Sequence, residues 1–217
     1  MLPEKQVTVF FALDGQHFLD NEDFVKKEEL KFGDVISTIF LSPITQQRCY
    51  LRGLILEELL GLVEYPVSAI FGEGTDKFNR KNTMIWIGTK GNITPLHYDR
   101  CHGILCQLKG SKRLTFFRPK DTRCLYQRPT HSPGSHTTFL TLEKFFDDSE
   151  EVRKAELLKF PKVARAKPYS VLLKEGECLY IPPGWWHQVE HLENSISITL
   201  AWDLDFSIGE SVPLNML

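Results

Sequence analysis

From residue 84 to residue 202 the chain repeats one pattern, a short apolar run closed by a turn signal. The runs fall at 84–88, 104–108, 113–117, 169–173, 178–181, 187–191 and 195–202, with Gly or Pro at many of the breaks. Segments this short read as strands, and a series of them joined by Gly or Pro turns suits an antiparallel barrel or sandwich. Residues 127–166 interrupt the series with Pro, Ser, His and a charged helical piece at 142–159, so they read as an insertion between two halves of the sheet. The first third is mixed. Residues 6–13 predict a strand ending at Asp14-Gly15. Residues 21–30 predict a short charged helix capped by Asp20 or Asn21, and 51–62 a helix stopping near Gly61.

A chain of 217 residues suits one domain with a core of its own. We expect residues 1–83 to form a flank packed on a barrel built from 84–217, as one structural unit. Lys and Arg number 26 against 28 Asp and Glu, for a net charge of −2, so the whole chain exerts no strong pull on nucleic acid or anionic lipid. The five cysteines are odd in number and contain no C-x-x-C pair, which argues against a disulfide framework or a zinc finger. The apolar run at 7–13 is too short to span a membrane, and no basic leader with a cleavage site precedes it. The expectation is a cytoplasmic or nuclear protein.

Chemistry enters at Thr94-Pro95-Leu96-His97-Tyr98-Asp99. Residues two apart on a strand share a face, so His97 and Asp99 would both point into the barrel. A buried carboxylate needs a partner or a metal. The tight turn Pro182-Pro183-Gly184 leads through Trp185 and Trp186 to His187 at the start of another strand. Two histidines and one carboxylate on separate strands make a facial triad with open positions, as non-haem Fe(II) oxygenases use. A lone His-x-Asp is common by chance, and a core histidine bonded to backbone is the plainer reading of His97 by itself. Lys112 shares its strand face with Leu114 and Phe116. An inward lysine needs an anion, unless it snorkels from the strand end. The distal carboxylate of 2-oxoglutarate would supply that anion, and the Thr94 hydroxyl could bond the same group.

The collinear set Trp86-Ile87-Gly88, Thr94 through Asp99, Gln107-Leu108-Lys109-Gly110-Ser111-Lys112-Arg113, Phe160-Pro161 and Glu175 through His187 resembles the Jumonji-C (JmjC), cupin-like oxygenases over residues 49–203. Among them it is most similar to the small JmjC hydroxylases of asparaginyl, lysyl and arginyl side chains and of a modified tRNA base. The resemblance implies a mainly β double-stranded β-helix (jelly-roll, cupin) barrel with flanking N-terminal helices. It implies Fe(II) held by His97, Asp99 and His187, with 2-oxoglutarate as cosubstrate and O2. Lys112 falls on the residue that binds the oxoglutarate distal carboxylate and Thr94 on its hydroxyl helper. Tyr50, in Cys49-Tyr50-Leu51-Arg52, falls on a tyrosine that also reaches oxoglutarate. The implied reaction hydroxylates a substrate while releasing succinate and CO2.

The chain departs from the family where many relatives carry an Asn six residues after the first ligand; here that position is Gly103, preceded by His102. The stretch before residue 84 is short for the family. The chain ends soon after the last strand, where some relatives add dimerising helices. A protein or peptide substrate is expected and an RNA base fits the same cleft. JmjC lysine demethylation uses the same chemistry, although small size and His-x-Asp in place of His-x-Glu favour hydroxylation. A non-catalytic binding barrel is the rival from another class, and a complete triad with Lys112 argues against it. A zinc isomerase cupin would not need Lys112 and Thr94. His131 and His136 read as loop residues, His17 as surface, His191 as remote from the site, and Cys101 and Cys106 as thiols near the triad.

Overall fold

Alternation along each strand decides the architecture. A computed structural model describes residues 1–18, 25–41, 48–62, 80–132 and 134–216. Eleven strands are antiparallel neighbours in two sheets: β1 (Gln6–Ala12), β2 (Val25–Lys31), β3 (Cys49–Leu54), β4 (Met84–Gly88), β5 (Ile93–Tyr98), β6 (His102–Lys109), β7 (Lys112–Phe117), β8 (Tyr169–Leu173), β9 (Cys178–Ile181), β10 (Trp186–His191) and β11 (Ser195–Trp202). The larger sheet runs β2-β1-β3-β4-β11-β6-β9 and the smaller β5-β10-β7-β8. From β4 onward the chain switches repeatedly between the sheets, which is the winding of the jelly roll. The fold class read from the sequence is the one observed.

On the larger sheet the outward residues Val7, Val9, Leu51, Ile85, Ile87, Ile198 and Leu200 make one core with Val35 and Ile39. The last two belong to helix α1 (Phe32–Phe40). Its apolar residues at 32, 35, 36, 39 and 40 follow the helical i, i+3, i+4 period, a signal the sequence reading passed over. Each Ile or Leu withdrawn from water here contributes ~1.5–3 kcal/mol. The first three strands therefore extend the same sheet as the barrel strands and share its core.

Two expected helices are corrected. The stretch expected as a helix at 21–30 is the edge strand β2 from Val25 onward, with its proposed caps at 20 and 21 outside the described residues. Pairing with every residue of β1 overrides the helical propensity of Lys and Glu, and those charges blunt an edge that would otherwise invite pairing. In 51–62 the first residues continue β3, which pairs with both β1 and β4, and only Glu57–Leu60 is helical, as α2.

The described residues of the insertion carry structure of their own. They contain helix α3 (Glu150–Lys159), started by the Ser149 hydroxyl, which accepts from the Val152 N–H. Leu125, Leu140, Leu142, Phe160 and Val163 pack against Leu96, Tyr98, Phe117 and Trp186 on the outer face of the smaller sheet. His17 is not a surface residue. Its side chain is 15% exposed and bridges the carboxylates of Asp14 and Glu143, tying the first third of the chain to the insertion. Among the described residues no helix is long and apolar enough to cross a membrane.

Candidate metal centre

The inner faces of the two sheets enclose a cavity of about 80 Å³. Its walls include Thr94 and His97 from β5, Asp99 beyond it, Gly103 and Leu105 from β6, Lys112 from β7, and His187 and Val189 from β10. Tyr50, Trp86, Ile181 and Thr199 complete it from β3, β4, β9 and β11. All six residues predicted for the site line this one cavity.

At one end His97 and His187 face each other across the β5–β10 ladder, with ring centroids 4.2 Å apart. Each ring is held in the same way. His97 Nδ1 lies 2.7 Å from the Pro95 carbonyl oxygen and His187 Nδ1 lies 3.0 Å from that of Trp185. A carbonyl only accepts, so each Nδ1 carries the proton and each Nε2 presents a lone pair to the cavity. This outer hydrogen bond fixes tautomer and ring direction, as metal-binding histidines require. The Asp99 carboxylate completes the set, with Oδ1 3.9 Å from His97 Nε2 and Oδ2 3.7 Å from His187 Nε2. Three ligand atoms of these residues lie within 4.8 Å of one another, a spacing that a single ion can bridge. Among the described residues no other His, Cys, Asp and Glu group of three or more does so.

Local backbone features put these groups in place. Strand β5 ends at Tyr98, so Asp99 sits at the exit, where its carbonyl accepts from the Gly184 N–H at 2.9 Å. Gly184 has φ +74° in the turn before β10, a conformation that favours glycine. A side chain there would also strike Pro213 at 2.7 Å. Asn215 donates to the Gly184 carbonyl at 2.9 Å and so pins the turn that aims His187. Trp186 is fully buried against Tyr98 and donates to the Thr122 hydroxyl, which makes it packing.

Thr94 is three residues before His97, a spacing that would put the two on opposite faces of a regular strand. The register resolves this: His97 pairs with His187 and Thr94 with Val189, so three steps on β5 match two on β10. This bulge at Pro95 returns Thr94 to the inner face and also supplies the carbonyl that holds His97.

The opposite end is cationic. Lys112 is 1% exposed, and no carboxylate pairs with it among the described residues. Burial alone pulls its ammonium down to about 7. His191 is its cross-strand partner and meets the edge of the Tyr50 ring at 5.1 Å. The expectation that His191 lies remote from the site is therefore corrected, since residues 187, 189 and 191 share the inner face of β10. Burial first, and the Lys112 charge second, hold its imidazole well below the usual range, so it adds no second charge. Its Nδ1 bonds the Ser195 hydroxyl at 2.9 Å. Gly88 makes room for this group, because a Cβ there would lie 2.9 Å from both His191 and Tyr50 and 2.7 Å from Asn92. At Gly103 a Cβ would meet only the Thr199 methyl at 3.4 Å, so the site has free space there.

Thr199 went unnoticed in the sequence, and Trp86 stood there only as part of the collinear pattern, with no place in the site. Trp86 Nε1 donates to the Thr199 hydroxyl at 2.8 Å and closes one wall. Strand alternation was the available signal, since Ile85 and Ile87 take the outer face. His131 is exposed, and the His136 carbonyl accepts from the Tyr98 N–H. Cys101 keeps its proton, with burial, then Asp99 and Asp203, pushing its thiol up to about 11.

With this geometry in hand, comparison with known proteins is direct. A cupin-like domain family model matches residues 45–208. Jumonji C domain-containing protein 5 of Drosophila melanogaster is 36% identical over 120 residues, 54% of this chain and 27% of that protein. JmjC domain-containing protein D of Dictyostelium discoideum is 33% identical over 186 residues, 83% of this chain and 38% of that protein. Lysine-specific demethylase 8 of Danio rerio is 32% identical over 145 residues, 67% of this chain and 32% of that protein. The chain thus spans less than two fifths of the length of these relatives. The crystal structure of Escherichia coli YcfD shares the fold at a TM-score of 0.50 and 16% identity, covering 94% of this chain and 44% of that one. The chain belongs to the cupin-like family, among its JmjC members.

Proposed function

We propose that this chain is an Fe(II)- and 2-oxoglutarate-dependent oxygenase that hydroxylates a protein side chain. The observation that carries this reading is one cavity with a metal triad at one end and, at the other, a buried lysine that no carboxylate pairs with among the described residues. Fe(II) with 2-oxoglutarate and O2 supplies the oxidising power to insert oxygen into a C–H bond, releasing succinate and CO2. His97, Asp99 and His187 would hold the ion on one side and leave its other side to cosubstrate and O2. Lys112 would pair with the distal carboxylate of 2-oxoglutarate, with the Thr94 hydroxyl and Tyr50 beside it. Trp86, Leu105, Ile181 and Val189 keep water from the space between. The Asp99 side chain is 43% exposed against 3% for His187, so substrate would reach the metal from the Asp99 side.

Residues 84–217 would form the catalytic barrel and 1–83 its flank. All five cysteines are unbridged, which fits a reducing compartment, cytoplasmic or nuclear. Demethylation of lysine is the second reading, favoured by the name of the Danio rerio relative. The test is Fe(II)-dependent conversion of 2-oxoglutarate to succinate, with and without peptide mixtures, followed by mass spectrometry of the peptides. Succinate that rises with a peptide gaining one oxygen atom supports hydroxylation. Succinate with loss of a methyl group as formaldehyde supports demethylation. No succinate under any condition sinks both readings.

A further inference from the structure

Outside the metal centre the larger sheet carries a second reactive arrangement. Cys106 on β6 and Cys178 on β9 are direct cross-strand partners on the outer face, away from the cavity. The next pair along, Gln107 and Glu177, carries a ladder hydrogen bond from Gln107 N–H to Glu177 O at 2.9 Å. Bonded and non-bonded pairs alternate in an antiparallel ladder, so Cys106 and Cys178 occupy a non-bonded pair. Cα atoms at such pairs are ~4.5 Å apart, inside the ~4.4–6.8 Å that a disulfide spans. Among the described residues the Cys106 thiol has only a long 4.0 Å contact to the Ile104 carbonyl of its own strand. Cys178 is exposed while Cys106 is half-buried. We propose that Cys106 and Cys178 form a redox-active dithiol that a peroxide converts reversibly to a cross-strand disulfide.

The division of labour follows from exposure. The Cys178 thiolate meets the oxidant first: its sulfur attacks one peroxide oxygen, the O–O bond breaks, and hydroxide leaves to become water. Burial, then the neighbouring Cys178 thiol, push the Cys106 thiol up to about 12, so it keeps its proton until the second step. There the Cys106 sulfur attacks the Cys178 sulfenic acid, the S–S bond forms, the S–O bond breaks, and the departing hydroxide takes the Cys106 proton. Two thiols lose two electrons and one hydrogen peroxide becomes two waters. A thiol reductant reverses the change by exchange. The bond would tie β6 to β9, whose inward residues Gly103, Leu105 and Ile181 line the cavity.

The experiment is peptide mapping of the full chain after equimolar hydrogen peroxide, with free thiols alkylated and no reductant in the digest. The expected result is a peptide joining Cys106 to Cys178 in most chains, lost on adding a thiol reductant, with Cys49 and Cys101 alkylated. In Cys106→Ser the joined peptide disappears and Cys178 is trapped as sulfenic acid by a dimedone-type probe. The proposal is overturned if the wild-type chain gives Cys178 as sulfenic or sulfinic acid, or bridged to a second molecule, while Cys106 stays alkylated. It is equally overturned if neither thiol reacts. The wild-type map decides the matter even where the variant fails to fold.

Discussion

The two sheets that enclose the cavity contribute differently. The four-stranded sheet carries His97, His187, Lys112 and Thr94, and Asp99 leaves from its edge. The seven-stranded sheet faces them with Tyr50, Trp86, Leu105 and Ile181, and with Gly103 where a side chain is missing. Under the proposed function the first wall would do most of the binding, and the other would chiefly shape the space. The binding wall is itself divided, since β10 presents His187, paired with His97 of β5, near its start and pairs with the buried Lys112 at its end. The proposed metal and anion sites thus sit toward opposite ends of one ladder, which positions more accurately than loops would.

The largest effect should come from the binding wall. Asp99→Ala removes the only carboxylate among the three ligand groups, and Fe(II) affinity should fall by more than the ~10–100-fold that loss of an outer partner costs. Equilibrium dialysis measures this, and Fe(II) binding at wild-type strength would remove Asp99 from the site.

Lys112→Met comes next and separates binding from stability. No carboxylate pairs with the buried ammonium among the described residues, so replacing it with an apolar side chain of similar length should leave the ligand-free protein as stable or more so. The same change should raise the 2-oxoglutarate requirement at least tenfold. The sign with pH follows from its depressed pKa of about 7 against the ordinary 10.5. Below 7 the folded and unfolded states both hold the proton and the full penalty applies. Between 7 and 10.5 only the unfolded state binds it, so rising pH stabilises the fold through this residue. Thermal melts at pH 7 and pH 9 should show that gain in the wild type and its absence in Lys112→Met. Equal gains in both would mean that another group is responsible.

On the shaping wall, Gly88→Ala drives a methyl into Tyr50, His191 and Asn92, and overpacking of this kind costs ~1–3 kcal/mol. Chemical denaturation should record that loss together with weaker 2-oxoglutarate binding. A stable variant with unchanged binding would detach Tyr50 and His191 from the cosubstrate end. The smallest change is Asn215→Ala, which removes one bond to the Gly184 turn, worth ~0.5–1.5 kcal/mol. Its expected signature is a modest fall in metal affinity through His187 with little change in the oxoglutarate requirement.

The binding wall was also the easier one to read in the sequence. His97-x-Asp99, Lys112 and Gly184-Trp185-Trp186-His187 are local patterns at or beside strands with clear turn signals; alternation orients His97, Lys112 and His187, while Asp99 lies just past the end of β5. Thr94 needed the Pro95 bulge, which is a property of the pairing with β10 and not of β5 by itself. His191 was misjudged because distance along the strand was weighed above the face it shares with His187. The first third was least legible. Lys26, Lys27, Glu28 and Glu29 favour a helix locally, yet they lie in a strand because β1 offers seven paired positions. Leu51, Ile55 and Leu59 keep a helical spacing across what is a strand followed by a single short turn of helix.

The central claim is that one cavity holds Fe(II) and 2-oxoglutarate together. Anaerobic addition of Fe(II) to the metal-free protein, followed by 2-oxoglutarate, tests it through the visible charge-transfer absorption of the chelate. The account predicts an absorption band that saturates in the wild type, needs at least tenfold more 2-oxoglutarate in Lys112→Met, and is missing in Asp99→Ala. Iron bound by the wild type with no band at any 2-oxoglutarate concentration would contradict it and leave a metal-binding barrel without this cosubstrate.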